Sequence, residues 1–404
     1  MYTAPTATRA SSLNALKLAQ AQSLLSDFGL DAWLIVVRET SERPDPTLRF
    51  LVELDFTWTT YFLVTRDWAG ALVATFDAPD LVQLGLFDEV RTYKEGSRAA
   101  LIAMLEERKP GRIGINYSTH DALADGLTAG LRDQLAETLA GTPFAGRLVG
   151  AGPFVGAFRG VKLPEERAAI ARAVEETEAM FDRVRSALRL GMTARQIASA
   201  FHAEAERAGV RTAWPIHHCP TVTVGPRAPV GHVGPGEEAL EPGCLVHMDF
   251  GIVRGGYCSD LQRVWYAAGP EGGAPEPVRR AYATMVEAID LAAKRLVPGA
   301  VGWEVDQAVR DHLGSRGFPE YAHALGHHLG RAVHDGGGVL GPRWERYGDE
   351  PFEKVRLGSV YTLEPSIQLE GHGLVALEED VVVGARGGEF LSRFPRELPI
   401  LRLS

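Results

Sequence analysis

The sequence predicts an α/β amino-terminal domain followed by a larger α+β domain. Three observations predict it. The chain is 404 residues long, its opening helical pattern gives way at once to an apolar strand, and a Gly- and Pro-containing stretch near residue 150 separates two differently patterned halves. At roughly 100 to 200 residues per domain, this length suits two or three domains, and the single change of pattern favours two.

From Leu13 to Phe28 the apolar spacing is that of an amphipathic helix stopping at Gly29, and Ala32 to Val37 reads as a strand. Strands are expected at 60–65, 70–76 and 112–115, and helices at 98–107 and 121–139. The stretch Gly150 to Gly160 reads as a linker. Three of its glycines, Gly150, Gly152 and Gly156, imitate a dinucleotide-binding fingerprint, but Pro153 interrupts them and no strand-turn-helix unit surrounds them. A charged helix then starts near Leu163 and Pro164 and runs towards Leu188. Beyond it, helices at 193–208, 277–296 and 303–313 alternate with strand-like runs at 221–224, 245–253, 257–267, 360–369 and 374–383.

With 45% hydrophobic and 23% charged residues, the composition is that of a globular protein able to bury a core. A net charge of −10 and the lack of a basic cluster argue against nucleic acid as a partner. Cys219, Cys244 and Cys258 lack metal-ligand spacing and are odd in number, which favours a reducing, cytoplasmic setting over a disulfide framework. Met1 to Ser12 lacks the basic start and apolar core of a secretory signal, and no apolar run approaches the ~20 residues that span a bilayer. No membrane association is therefore expected.

The chemistry is concentrated in a few segments. His247 to Asp260 reads as two β-rich runs joined in a hairpin by a Gly-containing turn. If Arg254 and Gly255 are its central turn residues, Asp249 faces Asp260. Opposed like charges destabilise a sheet unless something neutralises them, and a cation would do so. On the hairpin alone, two solvent-facing carboxylates explain the pattern equally well. Further along, His327 lies in Leu325-Gly326-His327-His328-Leu329-Gly330, Glu364 ends the apolar run Val360 to Leu363, and Glu378 interrupts the run from Leu374. Charges embedded in such strands are seldom buried without partners. Four carboxylates and one imidazole suit Mn²⁺, and Zn²⁺ or Co²⁺ are acceptable alternatives.

These residues, in this order, resemble the pita-bread metallopeptidases, the family of Xaa-Pro dipeptidase (prolidase), aminopeptidase P, methionine aminopeptidase and creatinase. The resemblance implies a creatinase-like amino-terminal domain over residues 1–155 and a pita-bread catalytic domain over 162–404. It makes Asp249 a ligand of one divalent cation, His327 and Glu364 ligands of a second, and Asp260 and Glu378 bridges between them. The implied attacking species is a hydroxide held between the metals. His232 and His334 match the family histidines that stabilise the developing oxyanion, Glu364 moves the proton towards the leaving nitrogen, and His323 matches a substrate-binding histidine of the proline-specific branch. A homodimer is implied as well. His217, His218 and His328 read as surface or packing residues, and Cys258 as a buried strand cysteine.

The sequence departs from the family pattern in three places. Glu364-Pro365-Ser366-Ile367-Gln368 stands where many members have Glu-Pro-Gly-Ile-Tyr, so Gln368 replaces a tyrosine. Ala376 replaces an arginine. The loop from Gly336 to Phe352 is long, and reads either as a rim of the substrate entrance or as a disordered surface insertion. The missing tyrosine and the chain length favour an Xaa-Pro dipeptidase over an aminopeptidase P acting on longer peptides. A dipeptidase must bind the free carboxylate of proline, and Arg43 or Arg49 of the amino-terminal domain is the candidate guanidinium for it. The rivals of another class are a metal-free creatinase-like hydrolase and a non-catalytic peptide-binding module, both of which characteristically lose ligands.

Overall fold

The computed structural model describes residues 12–229, 231 and 233–403. It divides into two compact units, Met1–Arg159 and Gly160–Ser404.

In the first unit, β1 (Ala32–Val37), β2 (Thr60–Thr65), β3 (Ala69–Ala74), β4 (Glu89–Tyr93), β5 (Ile113–Ile115) and β6 (Leu148–Gly150) form one mixed sheet in the order β4-β3-β2-β1-β5-β6. Side chains alternate across a strand, so β1 feeds two cores. Trp33, Ile35 and Val37 enter one and Ala32, Leu34 and Val36 the other. This burial on both faces is why β1 is apolar throughout. The opening helix runs Leu13–Leu24, tightens into a 3-10 turn and ends at Gly29, whose φ of 61° suits a residue without a Cβ.

Two expectations for this unit need correction. The presumed linker is the helix Gly152–Gly160. Pro153 sits in its first turn, where a missing N–H costs nothing, and Phe154 and Phe158 pack edge-on against Trp33 at 5.1 and 5.2 Å. Burial of each such ring is worth about 1.5–3 kcal/mol, enough to outweigh the glycines. The helix expected over 121–139 starts only at Ala129, because two caps compete. Asp121 accepts from Leu123 N to close a 3-10 turn, and Thr128 accepts from Leu131 N to begin the helix proper.

In the second unit, β7 (Arg211–Thr212), β8 (Thr221–Val224), β9 (Leu245–Phe250), β10 (Ile252–Arg254), β11 (Tyr257–Cys258) and β12 (Leu261–Ala267) precede two long helices, Glu276–Arg295 and Gly302–Ser315. Next come β13 (Gly326–His327), β14 (Val339–Leu340), β15 (Val360–Leu363), β16 (Ser366–Leu369), β17 (Gly373–Ala376), β18 (Glu379–Val383), β19 (Gly388–Phe390) and β20 (Ile400–Leu401). The ladders run β20-β12-β9-β8, β15-β18-β19 and β16-β17. Leu245, Val264 and Tyr266 join Leu363, Ile367, Val375 and both helices in the main core. Among the described residues, no helix is long and apolar enough to cross a membrane.

The β10–β11 hairpin turns on Gly255 and Gly256, not on Arg254 and Gly255, since Arg254 is paired with Tyr257. Both glycines have positive φ, 58° and 80°, as a two-residue type I′ turn requires and as arginine would resist. The expected facing of Asp249 and Asp260 is thereby overturned, and Asp249 lies opposite Gln262. The loop after Gly336 is ordered at its start: β14 pairs with β13 and sets Val339 opposite His327.

Candidate metal centre

The face of β9 and β12 that carries Leu245, Val264 and Tyr266 into the core turns polar towards the other end of the ladder. Period-two alternation puts His247, Asp249 and Gln262 on that same face. Asp260 immediately precedes β12, two residues before Gln262, so it lies diagonally across from Asp249. Diagonal partners lie within reach of one another, and the charge of Asp249 is among those that push Asp260 up.

His327 and Glu378 complete a tight group with Asp260. One ligand atom from each of the three lies within 4.8 Å of the others. His327 Nε2 is 3.9 Å from Asp260 Oδ2 and 3.2 Å from Glu364 Oε1. Its Nδ1, 3.2 Å from the His328 carbonyl oxygen, donates there, so Nε2 is the nitrogen that faces the carboxylates and bonds Glu364. Thus Asp249 joins the group through Asp260, and Glu364 through His327.

The electrostatics of the group ask for a cation. Burial, then the charge of Glu364, pushes Asp249 up to about 7. Burial, with neighbouring carboxylates, raises Asp260 and Glu378 well above the usual range. Glu364 goes the other way: burial would raise it, but the hydrogen bond and charge of His327, helped by His323 and His334, hold it low. For His327, burial disfavours the charged ring, yet the bond and charge of Glu364, with the His328 carbonyl and the charge of Asp249, together outweigh this and raise its pKa. Asp249 Oδ1, Asp260 Oδ1 and Glu378 Oε1 are buried without a hydrogen-bond partner among the described residues. Buried carboxylate oxygens left this way are costly unless a metal satisfies them. The donor set of oxygens plus one imidazole therefore fits hard or borderline divalent ions.

Several supporting residues escaped the sequence reading. Gln262 Nε2 donates to Glu364 Oε2 at 3.3 Å, while its Oε1 lies 2.9 Å from His247 Nε2. Burial lowers His247 to about 4, so its ring is neutral at pH 7 and Nε2–H is the donor to that amide oxygen. Thr362 Oγ1 donates to Glu364 Oε1 at 3.4 Å. Behind the ligands, Asp260 N donates to Asp380 Oδ2 at 3.1 Å, and buried Arg263 donates to the Glu378 carbonyl and to Glu379, both at 2.9 Å. The missed signal was strand parity. His247, Gln262 and Thr362 each lie two residues from a named ligand, and so on its face.

The remaining sequence candidates fall as follows. His334 is exposed, with its ring edge-on to His327 at 4.3 Å. His323 hydrogen-bonds Ser366 Oγ at 2.8 Å. His232 lies outside the described residues. Arg43 and Arg49 belong to the first unit, where Arg43 is exposed and Arg49 pairs with Asp55 at 2.6 Å. His328 is buried against the Tyr361 ring at 3.9 Å, a packing residue. Cys258 is buried in β11.

Comparison with known proteins places this geometry in context. The sequence pattern of metallopeptidase family M24 matches residues 168–385, more than half of the chain. The uncharacterized peptidase YqhT of Bacillus subtilis is 31% identical over 181 residues, 45% of this chain and 48% of its own. The match thus spans about half the length of that relative. Among solved structures, an Xaa-Pro dipeptidase from Bacillus anthracis superposes with a TM-score of 0.73 at 21% identity, covering 96% of this chain and 100% of that one. An X-Pro aminopeptidase from Thermotoga maritima gives 0.68 at 23% identity, covering 95% and 99%. At such identities these two likenesses speak for the fold.

Proposed function

This chain belongs to metallopeptidase family M24, and from that premise we propose that it is a dinuclear Xaa-Pro dipeptidase, hydrolysing the bond before a carboxy-terminal proline. The observation that carries the reading is the gathering of Asp249, Asp260, His327, Glu364 and Glu378 around three buried carboxylate oxygens that lack hydrogen-bond partners among the described residues. Those five residues would hold two divalent cations, with manganese the first choice for an oxygen-rich set. When bound, such cations supply Lewis acidity and make water a nucleophile at neutral pH.

The chain's own groups do the rest. Glu364, kept ionised by His327 and steadied by Gln262 and Thr362, accepts a proton at its carboxylate and delivers it to the leaving nitrogen. We assign to His334 and His232 the role of donors to the developing oxyanion, a reading that the contact of the His334 ring with His327 supports for the former. We further propose a reducing, cytoplasmic setting, which the three free cysteines support, and a homodimer.

The test is Mn²⁺-dependent hydrolysis of Leu-Pro beside Leu-Pro-Pro and a longer Xaa-Pro peptide, with chelated protein and Asp260→Ala as controls. Cleavage confined to Leu-Pro is expected. Preference for the longer peptides would move the assignment to an aminopeptidase P activity. Failure to cleave any of them with metal present would sink the peptidase reading.

A further inference from the structure

His323 stands on a backbone segment that is firmly held. The Arg310 guanidinium donates to the carbonyls of Tyr321 and His323 at 2.8 and 2.6 Å, and is itself fixed by buried Asp306 at 2.6 and 3.2 Å. Asp306 Oδ1 also accepts from Leu325 N at 3.1 Å. The imidazole has both nitrogens engaged. Nδ1 is 2.8 Å from the Ala324 carbonyl oxygen, and Nε2 is 2.8 Å from Ser366 Oγ. A carbonyl oxygen only accepts, so Nδ1 carries the hydrogen. In the neutral ring Nε2 is then the acceptor, and the Ser366 hydroxyl must be its donor.

Ser366 opens β16, two residues beyond Glu364, and lies directly opposite Ala376. Opposed Cβ atoms are ~5 Å apart, and a methyl group there offers nothing polar to compete for the hydroxyl. The serine therefore has one evident polar task, the ring of His323.

We propose that Ser366 is the positioning residue of His323. The Ala324 carbonyl keeps the hydrogen on Nδ1, and the Ser366 hydroxyl, donating to Nε2, holds the ring with Nε2 turned to β16, which sets how the substrate meets His323. The substrate half of this inference rests on the Xaa-Pro reading above. The orientation half does not.

The test uses full-length protein labelled with [¹⁵N]histidine, its His323 resonances identified with His323→Gln. Wild type should show a hydrogen on Nδ1 and, at Nε2, the ¹⁵N shift of a hydrogen-bonded acceptor. Ser366→Ala should keep the hydrogen on Nδ1 but move the Nε2 shift to that of an acceptor without a donor, and Ser366→Thr should restore it. In Mn²⁺-loaded protein, Ser366→Ala should raise KM for Leu-Pro about 5- to 10-fold, the scale of one hydrogen bond, with kcat nearly unchanged and Thr restoring KM. An alanine variant with the wild-type Nε2 shift would overturn the positioning role. An altered Nε2 shift with unchanged KM would overturn the substrate role. If the Nε2 shift moves as expected but wild type cleaves no Xaa-Pro peptide, the positioning role stands and the proposed function fails.

Discussion

Gln262 lies directly opposite Asp249 across the β9–β12 ladder, and its amide bridges His247 on one side and Glu364 on the other. One neutral side chain thereby orients a carboxylate of the candidate metal centre. An amide can do this because it donates and accepts at once, and a buried neutral His247 fixes which end faces which partner.

Replacing Gln262 by Leu removes the donor to Glu364 and leaves the His247 N–H unsatisfied. Partners of this kind typically contribute about 10- to 100-fold in metal affinity or activity. We expect a loss of that size in Mn²⁺ affinity by isothermal titration, with circular dichroism unchanged. Wild-type affinity in the variant would show that Glu364 is oriented by other groups.

The raised pKa of Asp249 ties stability to pH when metal is removed. An acid whose folded pKa, about 7, exceeds its unfolded value of ~3.9 stabilises the fold in its protonated form. That contribution is whole below the unfolded value and lost as pH rises through about 7. Mn²⁺ competes with those protons, so the rise in Tm that it causes should grow between pH 4 and pH 8. A metal-induced rise that is flat over this range would contradict the description of the ligand carboxylates.

Lys162 and Asp335 form an ion pair at 3.3 Å with both side chains fully buried. Asp335 also accepts from Arg331 N and so shapes the turn that carries His334. Asp335→Ala removes the anionic partner of the buried lysine charge and should cost about 3–5 kcal/mol in urea unfolding, whereas an apolar replacement of both partners should cost much less. Equal losses for the single and double variants would refute the charge-pairing explanation.

Cys219 is buried, and its burial pushes the thiol up to about 12. Cys244 is only half-buried. Brief alkylation of the folded protein at pH 8 should label Cys244 and spare Cys219 in a mass-spectrometric peptide map, because the thiolate is the reactive form. Modification of Cys219 at the rate of Cys244 would show that the β8 approach opens readily.

Much of the fold was legible because local rules agreed with the tertiary outcome. The β1 strand was evident from an unbroken apolar run, and Leu13 to Gly29 from helical spacing and a glycine stop. Residues 150–160 misled because four glycines and a proline outweigh two phenylalanines until Trp33, over a hundred positions earlier, is known to pack against them. The turn was misread by one residue, although the positive φ needed at both centres would have selected Gly255-Gly256.

By itself, the sequence determined which residues carry charge into apolar strands: Asp249, Asp260, His327, Glu364 and Glu378 stand out wherever a carboxylate or imidazole breaks such a run. Only the tertiary structure decided how they meet. Register set Asp249 against Gln262, β13–β14 pairing fixed the strand of His327, and the Arg310–Asp306 pair and Ser366 held His323. The physical reason is range. Burial and periodicity act within a few neighbouring residues and leave their mark in sequence, whereas a hydrogen bond between residues 43 or 102 positions apart, as in His323–Ser366 or Gln262–Glu364, exists only once the chain has folded.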